Sequence, residues 1–130
     1  GIVKGRLENH EGRIQEPIGK IPGEKMKMQV DARGKRADTQ YEVREFLDNA
    51  TVTAWEIYTG RTHQIRVHMA WLGHPLLGDM LYGDWENPYF SGLALHCRRA
   101  VFCQPFTGEK IEVLASPHHW GRIENPKRSL

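Results

Sequence analysis

The chain has 130 residues and a formal net charge of +2, enough for one small domain that buries ~65% of its unfolded surface. Its 39% hydrophobic and 26% charged residues are ordinary for a soluble globular fold; no apolar run approaches the ~20 residues of a membrane span, and no signal-peptide pattern is present. The charge neither demands nor excludes a nucleic-acid partner. Cys97 and Cys103 fall in one expected strand, ~20 Å apart if extended, where they cannot bridge, which suits a reducing cytoplasm.

In chain order, Gly1 to Val30 is rich in Gly, Pro and Lys. Ile2-Val3 reads as the end of a strand, and Glu11-Gly12 and Pro22-Gly23 read as turns. A short strand is expected within Ile14 to Ile21. Met26, Met28 and Val30 alternate with Lys27 and Gln29, the pattern of a half-exposed strand. Asp31 to Arg36 is a basic turn. Thr39 to Leu47 alternates, and Thr51 to Tyr58 is rich in β-branched and aromatic residues, predicting an antiparallel hairpin turned at Asp48-Asn49.

A short helix follows. Thr62 is the expected N-cap, Gly73 the left-handed residue beyond the C-terminus, and Pro75 the stop. At about 100° per residue, Ile65, Met69 and Leu72 make one apolar stripe and Val67 with Trp71 a second. The expectation is a helix wedged between layers, leaving His63, Arg66 and Ala70 on a half-buried face. A guanidinium there needs a partner, yet no acidic residue lies between Glu56 and Asp79. The partner must come from another segment, another chain or an anionic ligand.

Beyond the helix, Leu76 to Tyr89 is irregular, with a loop expected at Asp84 to Pro88. Leu93 to Cys103 is a predicted strand, Pro105 to Gly108 a turn, Lys110 to Ala115 the return strand, and Ser116 onward a tail. The fold class read from this order is α+β: a mainly antiparallel mixed sheet with one central helix packed on it.

Thr59 to His68, followed by Gly73-His74-Pro75-Leu76-Leu77-Gly78-Asp79 and Leu81-Tyr82-Gly83, resembles the signature of the large-subunit-rRNA (RluA-like) type of RNA pseudouridine synthase. Pro17-Ile18, Met28 to Val30, Gly34-Lys35 and Thr39 to Val43 extend the resemblance upstream. Leu95-His96-Cys97, Phe102, Pro105 and Thr107 to Glu109 extend it downstream, so it covers nearly the whole chain. It implies isomerisation of uridine to pseudouridine in a structured RNA, without metal or cofactor. Two parts of the family pattern are missing: the His-Arg-Leu-Asp stretch with the nucleophilic aspartate, and all but the tail of a Tyr-x-(Ala/Gly)-x-Val-x-Gly segment, to which Gly1 to Gly5 correspond. The chain therefore resembles the C-terminal half of a catalytic domain cut just after that tyrosine. Alone it should be inactive, its missing N-terminal half would be a partner, and a sheet severed at Ile2-Val3 should self-associate through an open edge.

Within the resemblance, Arg66 is implied to pair with the nucleophilic aspartate and keep it ionised; the alternative is a structural salt bridge. Leu95 matches a position supporting the target base, although leucine suits any core strand. Arg61, Thr62, His63 and Gln64 stand at the helix N-terminus, where N–H groups and a guanidinium suit an RNA phosphate, against the alternative of plain capping. Lys35 and Arg36, with Lys20, Lys25, Lys27 and Arg33, form a basic stretch suited either to RNA backbone or to solvent.

Trp85 and Tyr89 could stack on bases or pack in a loop. Tyr41 reads as packing. Asp79, like Asp31, Asp38, Asp48 and Asp84, reads as a turn residue. His63 and His68 share no helical face, and His118-His119 is adjacent, so no metal site is expected. The competing reading is a non-catalytic RNA-binding module using the same basic surface.

Overall fold

The computed structural model describes residues 1–83, 92–103 and 110–114. The chain divides into two compact units, Gly1–Ala94 and Leu95–Leu130. The first contains β1 (Ile2–Lys4), β2 (Glu11–Ile14), β3 (Ile18–Lys20), β4 (Met28–Val30), β5 (Thr39–Leu47), β6 (Ala50–Ile57) and α1 (Gln64–Trp71). In the second, β7 (Arg99–Cys103) pairs antiparallel with β8 (Lys110–Leu114). The described architecture is α+β with antiparallel pairing throughout and one helix, as expected.

The framework of the first unit is the β5–β6 hairpin, closed where Leu47 faces Ala50. Asn49 takes the positive φ of 57° that its short polar side chain tolerates. Flanking strands complete a four-stranded sheet in the order β1-β6-β5-β2. Glu11-Gly12 lies inside β2 and is not the expected turn. Gly12 faces Tyr41 on β5, and a Cβ there would sit 2.5 Å from the Tyr41 ring. The glycine is a space for an aromatic side chain, which punctuation alone does not reveal.

The open edge expected at Ile2-Val3 is also absent. Lys4 N–H donates to Pro75 O at 2.8 Å, Leu77 N–H donates to Ile2 O at 2.9 Å, and Ile2 N–H donates to Ala94 O at 3.1 Å. Ile2 and Val3 are buried, Ile2 in a cluster with Ala50, Val52, Leu77 and Ala94. With that edge covered, the ground for self-association through it is removed.

A second ribbon, β3–β4, lies beside α1, where Ile18, Ala37 and Val67 share a core cluster flanked by Met28, Val30 and Tyr82. Lys35 exchanges both backbone bonds with Ile18, at 2.9 and 2.8 Å, so the basic turn is fastened to β3. The helix ends as predicted. Gly73 has φ 94°, its N–H donates to Ala70 O, and His74 N–H donates to Met69 O, the paired bonds of a Schellman stop.

Its faces differ from the expectation. The buried residues are Gln64, Val67, His68 and Met69, while Trp71 is 52% exposed. Gln64 and His68 share the inner face with Val67, so that face is polar as well as apolar, and Trp71, in the last turn on the same side, is exposed rather than part of a second buried stripe. Leu93 to Arg98 lie outside any strand, which begins only at Arg99. The loop at Asp84 to Pro88 with Trp85 and Tyr89, the turn at Pro105 to Gly108, and the tail with His118-His119 lie outside the described residues.

Candidate active site and RNA-facing surface

The segment between β6 and α1 is organised by one side chain, Gln64. Its Nε2 donates to Asp38 O at 3.0 Å and to Thr39 Oγ1 at 2.9 Å. Its Oε1 accepts from Thr59 Oγ1 at 2.7 Å and from Arg61 N–H at 3.0 Å. At 3% exposure the amide is saturated, which corrects the expectation that Gln64 contacts RNA. It pins the loop so that its neighbours can face outward.

The same bonds explain a second correction. Thr62 is exposed and caps nothing; the residue before the helix is His63, in the left-handed conformation at φ 55° and ψ 27° with no side-chain cap. A non-glycine residue there costs of order 1–2 kcal/mol, and here the Gln64 amide holds the approach to the helix in its place.

The network continues inward as a chain of oriented hydrogen bonds. His68 Nε2 lies 2.8 Å from Glu16 O, so that nitrogen carries the proton and Nδ1 accepts from Thr39 Oγ1, also at 2.8 Å. Thr39 in turn accepts from Gln64. Burial lowers the His68 pKa and keeps the imidazole neutral. His68 is therefore a satisfied core histidine.

Arg66 stands on the half-buried face, as predicted. Its Nε donates to Asp79 Oδ2 at 3.0 Å and its Nη2 to Asp79 Oδ1 at 2.9 Å, a bidentate pair. The carboxylate is fully buried, whereas the Arg66 side chain keeps 20% of its surface exposed. Asp79 lies just beyond the helix stop, in a turn where its Oδ1 also accepts from Tyr82 N–H at 3.2 Å. The Tyr82 ring centroid lies 5.2 Å from the guanidinium carbon. The Tyr82 hydroxyl accepts from Met28 N–H at 3.0 Å, leaving its own hydrogen for His63 Nδ1 at 2.8 Å. Burial, then the Arg66 charge, lowers the His63 pKa; burial raises that of Tyr82. Arg66, Asp79, Tyr82 and His63 thus form one connected cluster.

A separate basic cluster gathers at Asp38, also buried. Arg13 donates to both Asp38 oxygens, at 2.9 and 2.6 Å, and Arg36 Nη2 donates at 3.3 Å. The Arg13 guanidinium holds the Asp38 carboxyl below the usual carboxylate range. Arg61 Nε donates to Arg36 O at 2.6 Å, bringing a third guanidinium to the same edge. Arg13 and Arg36 remain 50% and 67% exposed. Lys35 and Thr62 are exposed beside this edge in sequence.

So Arg36 and Arg61 are brought together, Arg66 and His63 form a neighbouring cluster, and Gln64 connects the segment from within. Arg13 was missed by sequence reasoning, because a lone arginine in a short polar strand carries no signal until its partner Asp38 is located. Leu95 belongs to the second unit and is half buried. Among the described residues no three His, Cys, Asp or Glu side chains converge as a metal site.

A model of the RNA pseudouridylate synthase family matches residues 2–71, from β1 through the helix that carries Arg66. The chain belongs to that family. It is 40% identical over 111 residues to the uncharacterized RNA pseudouridine synthase YlyB of Bacillus subtilis, covering 85% of this chain and 37% of that protein. It is 40% identical over 114 residues to the ribosomal large subunit pseudouridine synthase D of Haemophilus ducreyi, covering 78% and 35%. The chain spans well under half the length of these curated relatives. Among solved structures, human RNA pseudouridylate synthase domain containing 1 superposes with a TM-score of 0.78 at 26% identity, over 95% of this chain and 55% of that one. Human RNA pseudouridylate synthase domain containing 4, at 21% identity and a TM-score of 0.63, shares the fold. No helix among the described residues is long and apolar enough to cross a membrane.

Proposed function

We propose that this chain is the C-terminal part of a pseudouridine synthase catalytic domain that isomerises uridine in a structured RNA, and that Arg66 is its principal contribution to the active site. Isomerisation breaks the bond from C1′ of the ribose to N1 of uracil, forms a bond from C1′ to C5, and releases the C5 hydrogen. The nucleophilic aspartate lies outside these 130 residues, which contain no His-Arg-Leu-Asp stretch. The target uridine must leave its stack for such an attack. Membership of the family supports the reaction class. The observation that carries the role of Arg66 is its guanidinium, fixed on one edge by Asp79 while the side chain keeps 20% of its surface exposed.

In the complete synthase a carboxylate beside that guanidinium stays ionised, and only the ionised form attacks. The RNA backbone runs over Arg13, Arg36 and Lys35, whose exposed cations suit phosphate, with half-buried Arg61 at the same edge and Thr62 and His63 at the helix entrance. In the complete enzyme Arg66→Ala is expected to lower single-turnover pseudouridine formation on the order of 100-fold while RNA affinity changes little. Equal losses in rate and affinity would remove the assigned role. A non-catalytic RNA-binding module would use the same Arg13–Arg36–Arg61 edge, and would show binding without any isomerisation in the complete protein.

A further inference from the structure

Asp79 lies in a turn and, from sequence, reads as structural. Its surroundings assign it more. We propose that Asp79 is a positioning residue: by occupying the Nε and Nη2 edge of Arg66, it directs the remaining edge of the guanidinium toward the nucleophilic carboxylate of the complete synthase. This inference rests on the synthase reading given above.

A guanidinium presents its donors as a planar fork, so fixing one edge fixes the direction of the others. Asp79 takes that edge with two bonds, at 3.0 and 2.9 Å. The carboxylate itself cannot swing. It is fully buried, its Oδ1 accepts Tyr82 N–H, its own N–H donates to Leu76 O at 3.1 Å, and its carbonyl accepts Gly83 N–H at 3.1 Å. The Tyr82 ring beside Arg66 is anchored in turn through its hydroxyl to Met28 N–H and His63 Nδ1.

An ion pair this buried is a weak source of net stability, since desolvation offsets much of the attraction. What it supplies is orientation. Arg66 is thus held from the loop that follows its helix, while its other side stays open. Among the described residues, the titratable groups around the guanidinium are Asp79 and Tyr82 from that loop and His63 from the helix entrance.

The test uses the complete synthase with Asp79→Asn, and with Asp79→Glu as the second variant. Asp79→Glu keeps the charge but moves the carboxylate by one methylene. Single-turnover rates are followed from about pH 5 to about pH 9, alongside RNA affinity and the urea unfolding midpoint. The expected result is a rate loss approaching about 100-fold for a misplaced group, with RNA affinity unchanged. The acid limb of the pH–rate profile should move to higher pH, because a mis-set guanidinium stabilises the ionised nucleophile less. The move should persist in a His63→Gln background, which removes the neighbouring imidazole as its source.

Loss of rate in proportion to loss of folded protein, with the acid limb unmoved in either variant, would overturn the proposal. So would unchanged rates. If Arg66→Ala is inactive while both Asp79 variants match the parent enzyme, only the positioning role falls. If the parent complete protein forms no pseudouridine, the synthase reading and this inference fall together.

Discussion

Asp38 and Asp79 are two buried carboxylates of the same unit, and each accepts a bidentate arginine. At Asp38 the cations fan outward, with Arg13 half exposed and Arg36 more so, and Arg61 reaches the adjoining carbonyl. At Asp79 the cation lies inside, one edge held and an aromatic ring beside it. The same chemical pair therefore builds two different things. One leaves positive charge exposed at the surface, and the other holds a single guanidinium by one edge. The exposure of the cation separates the two roles, and the pairing alone does not.

Variants on the two sides should diverge accordingly. The largest effect belongs to Arg66→Ala, a rate loss on the order of 100-fold with affinity spared. Gln64→Ala comes next and acts on neither charge. It takes the acceptor from the Thr59 hydroxyl and from Arg61 N–H, and one donor each from the Asp38 carbonyl, which keeps Tyr58 N–H, and the Thr39 hydroxyl, which keeps His68; it should cost about 3 kcal/mol in urea unfolding. Exposed Trp71→Ala should stay within about 0.5 kcal/mol in the same assay. A Trp71 loss as large as that of Gln64 would restore the second apolar stripe.

On the Asp38 side, Arg13→Ala should weaken RNA binding without changing the single-turnover rate. It should also reduce the salt dependence of affinity by about one unit of slope. A rate loss at saturating RNA would erase the contrast between the two clusters.

The smallest effect concerns His68, which lies behind the Asp38–Gln64 network. Its folded pKa is depressed, so the folded chain resists a proton that the unfolded chain accepts near pH ~6.5. Stability is therefore complete above that pH and declines as the pH falls toward the folded value. His63 contributes in the same direction. The urea midpoint of the parent chain should drop between about pH 7.5 and about pH 5.5, and that of His68→Gln should drop less.

Much of this was legible in the sequence because it depends on local pattern. Alternation in Thr39 to Leu47 and the β-branched and aromatic residues of the strand after Asn49 mark the hairpin, and Gly73 with Pro75 marks the helix stop. Arg66 was placed on a half-buried face by angular position alone. Its need for an acidic partner was also clear, but the partner was not. Asp79 lies 13 residues along, beyond a chain reversal that no helical spacing describes.

The misreadings have a common origin in contacts between residues far apart in sequence. Thr62 has the right chemistry for a cap, but a Gln64 amide bonded to Asp38 and Thr39 fixed the entrance with His63 at the cap position. Gly12 looked like a turn until Tyr41 was found across the strand. The edge at Ile2-Val3 looked open because the segment covering it, Pro75 to Leu77, lies far along the chain. Hydrophobic periodicity carries no information about any of these.

The most direct measurement is tritium release from RNA carrying uridine labelled at C5, using this chain mixed with a separately produced upstream half of the synthase. Release is expected from the mixture, none from either part alone, and a loss on the order of 100-fold when the chain carries Arg66→Ala. Release undiminished by Arg66→Ala, or no release from the mixture and from the joined complete protein, would contradict this expectation.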